Sequence, residues 1–272
     1  MRRILQSFLL LGTLIFYAAC NPSSEKKETK PLQITGKFNK TDLGSCDTTG
    51  KGGVTLKVHV WEPAGTDSAA AVIRDFLKTK IINRINDNAD LSGIGSKRLA
   101  KANESITSAY MLFDSSYVNF KSKFPEAPGC WEIELKGDTV LVSPKIIQYQ
   151  MDHYAYLGGA HPNTFRTYYV FDTKTGKERK SDVFVTDTLA LLKKVEKAFR
   201  KTENLADTTN LETAGYFLSE HKFFISVNYA FTRQGIFFYY NPYEIAPYAR
   251  GAITFTIPYS ELEGIVKKEL IF

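Results

Sequence analysis

At Cys130 the apolar residues of the chain change their spacing, and that change confines the fold to a sheet with helices set apart from it. Ahead of Cys130, Val72, Ile73, Phe76, Leu77, Ile81 and Ile85 recur every three or four residues. The spacing draws one stripe along a helix that runs from a cap at Asp67 or Ser68 to about Asn86. Residues 91–95 interrupt the pattern. A second helix is predicted over 97–120, with Leu99, Ile106, Tyr110, Phe113 and Tyr117 inward, and Pro125 and Pro128-Gly129 end it. Beyond Cys130 the period is two. Residues 131–135 and 139–142 predict a hairpin about a Gly137-Asp138 turn, and 146–157 and 164–171 predict two longer strands.

The remaining segments extend the same picture. Residues 54–61 (VTLKVHVW) alternate, with Val54, Leu56, Val58 and Val60 on one face and Thr55, Lys57, His59 and Trp61 on the other. A shorter alternating run over 32–38 predicts an edge strand. Residues 172–176 (DTKTG) predict a turn, and 187–202 a helix with Leu189, Leu192, Val195 and Phe199 inward. Strands are expected over 222–228, 236–240 and 252–257, with a closing helix over 259–270. Runs of strands beside segregated helices predict an α+β fold: a mixed, mainly antiparallel sheet with helices packed on it.

The first thirty residues belong to no core. Arg2-Arg3 precede an apolar run over 4–16 that is too short to span a bilayer, and Ala18-Ala19-Cys20 follow it. A cysteine directly after small residues resembles the bacterial lipobox, with Tyr17 standing where that motif usually has leucine. Residues 1–19 are therefore expected to be a lipoprotein signal peptide, and Cys20 to carry a covalent lipid that holds the protein on a membrane surface. An ordinary signal peptide or an uncleaved anchor is the alternative. The polar segment 20–31 is expected to be a flexible tether. The protein is then exported and anchored to the cell envelope, at the outer membrane or periplasmic face.

Loss of residues 1–19 removes Arg2 and Arg3 from 35 basic residues against 29 acidic ones, which leaves a mild +4. With that charge, and with no basic run interleaved with aromatics, nucleic-acid binding is excluded. Two cysteines remain beside Cys20. An even pair in an oxidising compartment favours a Cys46–Cys130 disulfide, with two unrelated buried thiols as the alternative.

No nucleophile elbow, phosphate loop or HExxH is present, so no catalytic residue, metal or cofactor is assigned, the lipid on Cys20 apart. His161, in the tight turn GGAHP, is the best single candidate for chemistry, with Asp152 or His153 on the preceding strand as possible companions in zinc binding or acid–base work. The bland alternative is a histidine that hydrogen-bonds a loop. Near the C-terminus, FFYYNPYEIAPYARG brings Tyr239, Tyr240, Tyr243 and Tyr248 together with two prolines, and Glu244 is expected to pair with Arg250.

Together, YLGGAHPNT (156–164), FDTKTGK (171–177), SDVF (181–184) and YEIAPYARGAITFTIPYSEL (243–262) resemble the C-terminal domain of RsiV-type lysozyme-sensing anti-sigma factors. That similarity covers about 130–272. Residues 32–129 resemble the companion domain found before it in those proteins and in some peptidoglycan deacetylases. The chain carries neither a sigma-binding segment nor a deacetylase domain, so neither activity is expected of it. The resemblance implies a non-enzymatic ligand-binding module, for a lysozyme-like cell-wall hydrolase or for peptidoglycan. Alternatives are a peptidoglycan-modifying enzyme with His161 in its site, or a purely structural envelope lipoprotein. The candidate ligand-binding residues are Gly158, Gly159, His161, Asn163, Tyr243, Glu244, Tyr248 and Arg250. Their two loops are expected side by side at one end of one sheet.

Overall fold

The alternating run over 54–61 lies inside a 12-residue strand, β2 (Gly52–Pro63), whose Val54, Leu56, Val58 and Val60 are all buried. The computed structural model describes residues 34–47, 52–89, 95–127 and 129–272; Gln33–Phe272 forms one unit by itself. The expected signal peptide, Cys20 and the expected tether lie outside the described residues. Among the described residues no helix is long and apolar enough to cross a membrane.

Strand β1 (Gly36–Asp47) pairs antiparallel with β2 and is the outer strand of its sheet. The expected edge strand is therefore present, but it starts later and runs longer than residues 32–38. Trp61, expected on the outer face, is buried instead, in space that Gly36 leaves by having no side chain. After β2 comes helix α1 (Ser68–Asn86), which begins where Asp67 accepts the Ala70 N–H at 3.0 Å. Its Ile73, Leu77, Ile81, Ile82 and Ile85 are buried, whereas Val72 faces out.

The predicted helix over 97–120 is two helices, α2 (Ser96–Ala102) and α3 (Ile106–Lys123). Ser105 separates them. Its backbone is extended, and its hydroxyl accepts the Ser108 N–H at 3.0 Å, so a new helix starts there. The three helices form the long connection that a parallel pair requires, because β3 (Trp131–Val142) lies parallel to β2. Cys46, near the end of β1, is joined by a disulfide to Cys130, just ahead of β3, with their Cα atoms 5.7 Å apart.

β3 is a single strand, not the predicted hairpin. Gly137 is there for packing and not for a turn. A Cβ on it would sit 2.2 Å from the hydroxyl of Tyr149, a fully buried side chain that donates to the Trp61 carbonyl at 2.9 Å. β4 (Ile146–Tyr156) and β5 (Asn163–Asp172) follow as predicted, giving the order β1-β2-β3-β4-β5.

The rest of the chain builds a second core. Helix α4 (Thr188–Thr202) starts at Asp187, which accepts the Ala190 N–H at 2.9 Å. Leu191, Val195 and Phe199 point in, but Leu189, expected among them, is 72% exposed. They pack on β6 (Tyr229–Phe231), β7 (Gly235–Tyr240) and β8 (Ile253–Pro258), an antiparallel sheet in that order.

Residues 222–228 form no strand. The Ser226 hydroxyl donates to the Tyr239 carbonyl at 2.9 Å, and the Tyr239 N–H donates to the Asn228 carbonyl at 2.9 Å, so a side chain supplies one of the two bonds that a strand would make through its backbone. The predicted closing helix is reduced to two 3-10 turns, Tyr259–Glu261 and Lys268–Leu270. Between them the chain pairs instead with residues 184–186, through Thr186 N–H to the Ile265 carbonyl and Lys267 N–H to the Phe184 carbonyl, each at 2.8 Å.

The two cores meet at Gln148, which is fully buried on β4. Its amide donates to the Tyr169 carbonyl at 3.1 Å and accepts the Phe231 N–H at 3.0 Å, so it ties the larger sheet to β6. The architecture is α+β, with one mixed and one antiparallel sheet.

Candidate functional site

The turn between β4 and β5 carries Gly158 at a φ of +80°, a left-handed conformation that costs glycine little. That sharp path leaves His161 on the surface. Its imidazole lies flat on Tyr248, with ring centroids 4.0 Å apart and planes 11° from parallel. Tyr243 completes the cluster, 5.5 Å from Tyr248 between centroids, and is itself 58% exposed. The His161 Nδ1 sits 3.2 Å from the Pro162 carbonyl, an acceptor only, so Nδ1 carries the proton in the neutral ring. Nε2, 3.3 Å from the Tyr243 hydroxyl, then accepts from it. GGAHP and YEIAPYARG therefore stand side by side, as expected. They are flanked, however, by strands of different sheets: β4 and β5 on one side, β7 and β8 on the other.

What joins them is Asn241, a residue that sequence reasoning missed. Its side-chain amide mimics a strand: Oδ1 accepts the Arg166 N–H at 2.6 Å and Nδ2 donates to the Arg166 carbonyl at 3.0 Å. Arg166 lies on β5, the outer strand of the larger sheet, so the amide satisfies an edge that would otherwise be open. The Asn-Pro dipeptide after an aromatic strand was the available signal. Glu244 accepts the Asn241 backbone N–H at 2.8 Å and so shapes the loop, with no bond to Arg250. Arg250, still exposed, pairs instead with Glu203 at 2.5 Å and donates to the Tyr216 hydroxyl, with its guanidinium 4.6 Å from the Tyr216 ring. Burial, then the hydrogen bond to Glu203, pushes the Tyr216 phenol up to about 12. Gly159 and Asn163 are both exposed, and a Cβ on Gly159 would meet only the His161 carbonyl at 3.9 Å.

The companions suggested for His161 are engaged elsewhere. Asp152 holds Arg166 through both carboxylate oxygens, and this guanidinium lies 5.0 Å from the Tyr239 ring. His153 is buried and stacked on Phe165 at 4.4 Å, with Nε2 3.3 Å from the Asn88 amide and Nδ1 unpartnered. Burial, with Arg84 nearby, lowers its pKa to about 4, so at neutral pH it is an uncharged packing group. Among the described residues no three His, Cys, Asp or Glu side chains are grouped so as to hold a metal ion. The arrangement offers two exposed rings, the His161 imidazole and the Tyr243 phenol, beside the half-buried ring of Tyr248 on a braced surface. Such a surface can stack against a ligand and hydrogen-bond to it.

No curated protein matches this chain. Among solved structures, a DUF3298-family protein from Bacteroides fragilis is similar, with a TM-score of 0.62 and 20% identity over 86% of this chain and 94% of that one. A second, from Pseudomonas aeruginosa, has a TM-score of 0.60 and 15% identity over 88% of this chain and 97% of that one. At such identities the likeness concerns the fold. Residues 181–260, which hold α4, the smaller sheet and the Tyr243–Arg250 loop, match the family described as protein of unknown function (DUF3298).

Proposed function

We propose that this chain is a cell-envelope lipoprotein whose His161–Tyr243–Tyr248 surface is a non-enzymatic binding face for a cell-wall hydrolase of the lysozyme kind or for peptidoglycan. One observation carries the reading: an imidazole stacked at 4.0 Å on a tyrosine, beside a second tyrosine left 58% exposed, on loops that Asn241 braces. Rigid aromatic rings on a braced surface bind with little loss of side-chain freedom, and tyrosine is enriched where interface energy concentrates. The resemblance of 130–272 to lysozyme-sensing ectodomains, and the lipobox-like Ala18-Ala19-Cys20, supply the partner class and the location.

Titration calorimetry of the purified protein against lysozyme and against soluble peptidoglycan fragments tests it. Tyr243→Ala and His161→Ala are each expected to weaken binding by about 1–3 kcal/mol with unchanged melting, because both side chains face solvent. Binding that survives both substitutions at full strength, or no binding to either ligand, would sink the proposal.

A further inference from the structure

Helix α4 presents a surface that the binding face does not use. Leu189, Lys193, Lys197 and Lys201 follow one another at four-residue intervals, and all four are exposed. This spacing lines them up along one side of the helix, opposite the buried Leu191, Val195 and Phe199. Among the described residues none of the three lysines is in an ion pair, and Glu196 between them is taken by Arg200 at 2.8 Å. A glutamate four residues before a lysine would pair with it, but those positions hold Leu189, Lys193 and Lys197, so the row is left as bare positive charge.

The N-terminal end of the row exposes aliphatic tips, beside the carboxylates of Asp182 and of the capping Asp187. Leu189 is 72% exposed, and Val227, which with Thr188, Leu191, Ile225, Lys180 and Asp182 lines a cavity of about 300 Å³, is 79% exposed. Val183, in the 3-10 turn Ser181–Phe184 just ahead of the helix, is also exposed. Large aliphatic tips held in water beside an unpaired lysine row match the two demands of a charged membrane surface. The tips enter the acyl boundary, while the ammonium groups meet headgroup phosphates.

We infer that the α4 face docks on an anionic bilayer, with Lys193, Lys197 and Lys201 against lipid phosphates and Leu189 and Val227 dipping below them. Charge complementarity selects the occupant: an anionic bilayer supplies phosphates to the lysine row and acyl chains to the aliphatic tips in one plane. The contact is independent of the proposed ligand face, with which it shares no residue, and it needs no lipid on Cys20. It would fix which way the domain faces on a membrane.

The test uses residues 33–272, which contain both cores and the disulfide and lack the apolar run and Cys20. Flotation with vesicles holding roughly one third phosphatidylglycerol should recover the protein, and pure phosphatidylcholine should not. Raising salt to about 0.5 M should abolish recovery, since surface charges are then screened. Lys193→Glu/Lys197→Glu/Lys201→Glu should cut affinity at least about 100-fold, at roughly 1 kcal/mol per lysine before charge reversal is counted. Leu189→Ser/Val227→Ser should cut it about tenfold. Thermal melts should show both variants folded. Equal recovery on neutral vesicles, no recovery on anionic ones, or unchanged affinity in either variant overturns the inference.

Discussion

Replacing Asn241 with alanine removes the side-chain amide that closes the outer edge of β5. Two hydrogen bonds go with it, at 2.6 and 3.0 Å, both to the backbone of Arg166. Each is worth about 1 kcal/mol net when made, and more when its loss strands a half-buried partner. Asn241→Ala is therefore expected to destabilise the fold by about 2–3 kcal/mol. For a body of this size that lowers the melting temperature by roughly 4–12 °C. Asn241→Asp is the sharper probe. It keeps an oxygen for the Arg166 N–H but sets a carboxylate against the Arg166 carbonyl, with the Glu244 carboxylate already close by. It should do at least as badly as alanine despite its near-identical shape. Urea titration at constant m gives the energy, and hydrogen exchange of the Arg166 amide reports the bond itself. A loss below about 0.5 kcal/mol in Asn241→Ala, together with unchanged exchange at Arg166, would refute the bracing argument.

Three further outcomes follow from the same geometry. The Cys46–Cys130 bridge spans 84 residues, so its loss should cost about 4.5 kcal/mol by chain entropy; melting that is indifferent to reductant would contradict it. His153 has a folded pKa near 4 against 6.5 for the free group, so the unfolded chain takes up a proton that the fold refuses. Stability from this site is then full above pH 6.5 and falls by about 3 kcal/mol as pH drops to 4, a slope that His153→Gln should flatten in acid titrations. Cys20→Ser should leave only the α4 contact, so that about 0.5 M salt releases this variant from membranes but not the wild type, and a wild type that incorporates no alkyne fatty acid would remove the lipid anchor from the proposal.

Features decided within a few residues were legible in the sequence. Asp67 and Asp187 start helices where an acidic cap precedes a periodic run, and Asp172–Gly176 turns as DTKTG implies, with Asp172 accepting the Thr175 N–H at 2.9 Å. Features decided by distant partners were not. Gly137 reads as a turn until Tyr149 fills the space beside it. Ser105 divides a helix whose apolar period continues straight through it. The last segment reads as a helix, yet its backbone bonds to residues 184–186. At the candidate site, the closeness of two glycine- and proline-rich loops was foreseeable from their composition. The residues that hold them, Asn241 on Arg166 and Glu203 on Arg250, are 75 and 47 positions away in the chain, so even the Asn-Pro signal at 241 does not show which partner is taken.

The bond between Cys46 and Cys130 also gives the molecule a mechanical route. Residue 46 lies near the end of the outermost strand, and residue 130 immediately precedes β3, the middle strand of five. A pull applied ahead of β1 crosses the bridge directly into the centre of the sheet, and the three-helix excursion between them carries no tension. The same ring keeps the pieces together: a protease that cuts once between residues 47 and 129 opens a loop but frees no fragment. Under the proposed anchoring at the N-terminal end, the sheet is both the point that takes the load and the part that survives nicking.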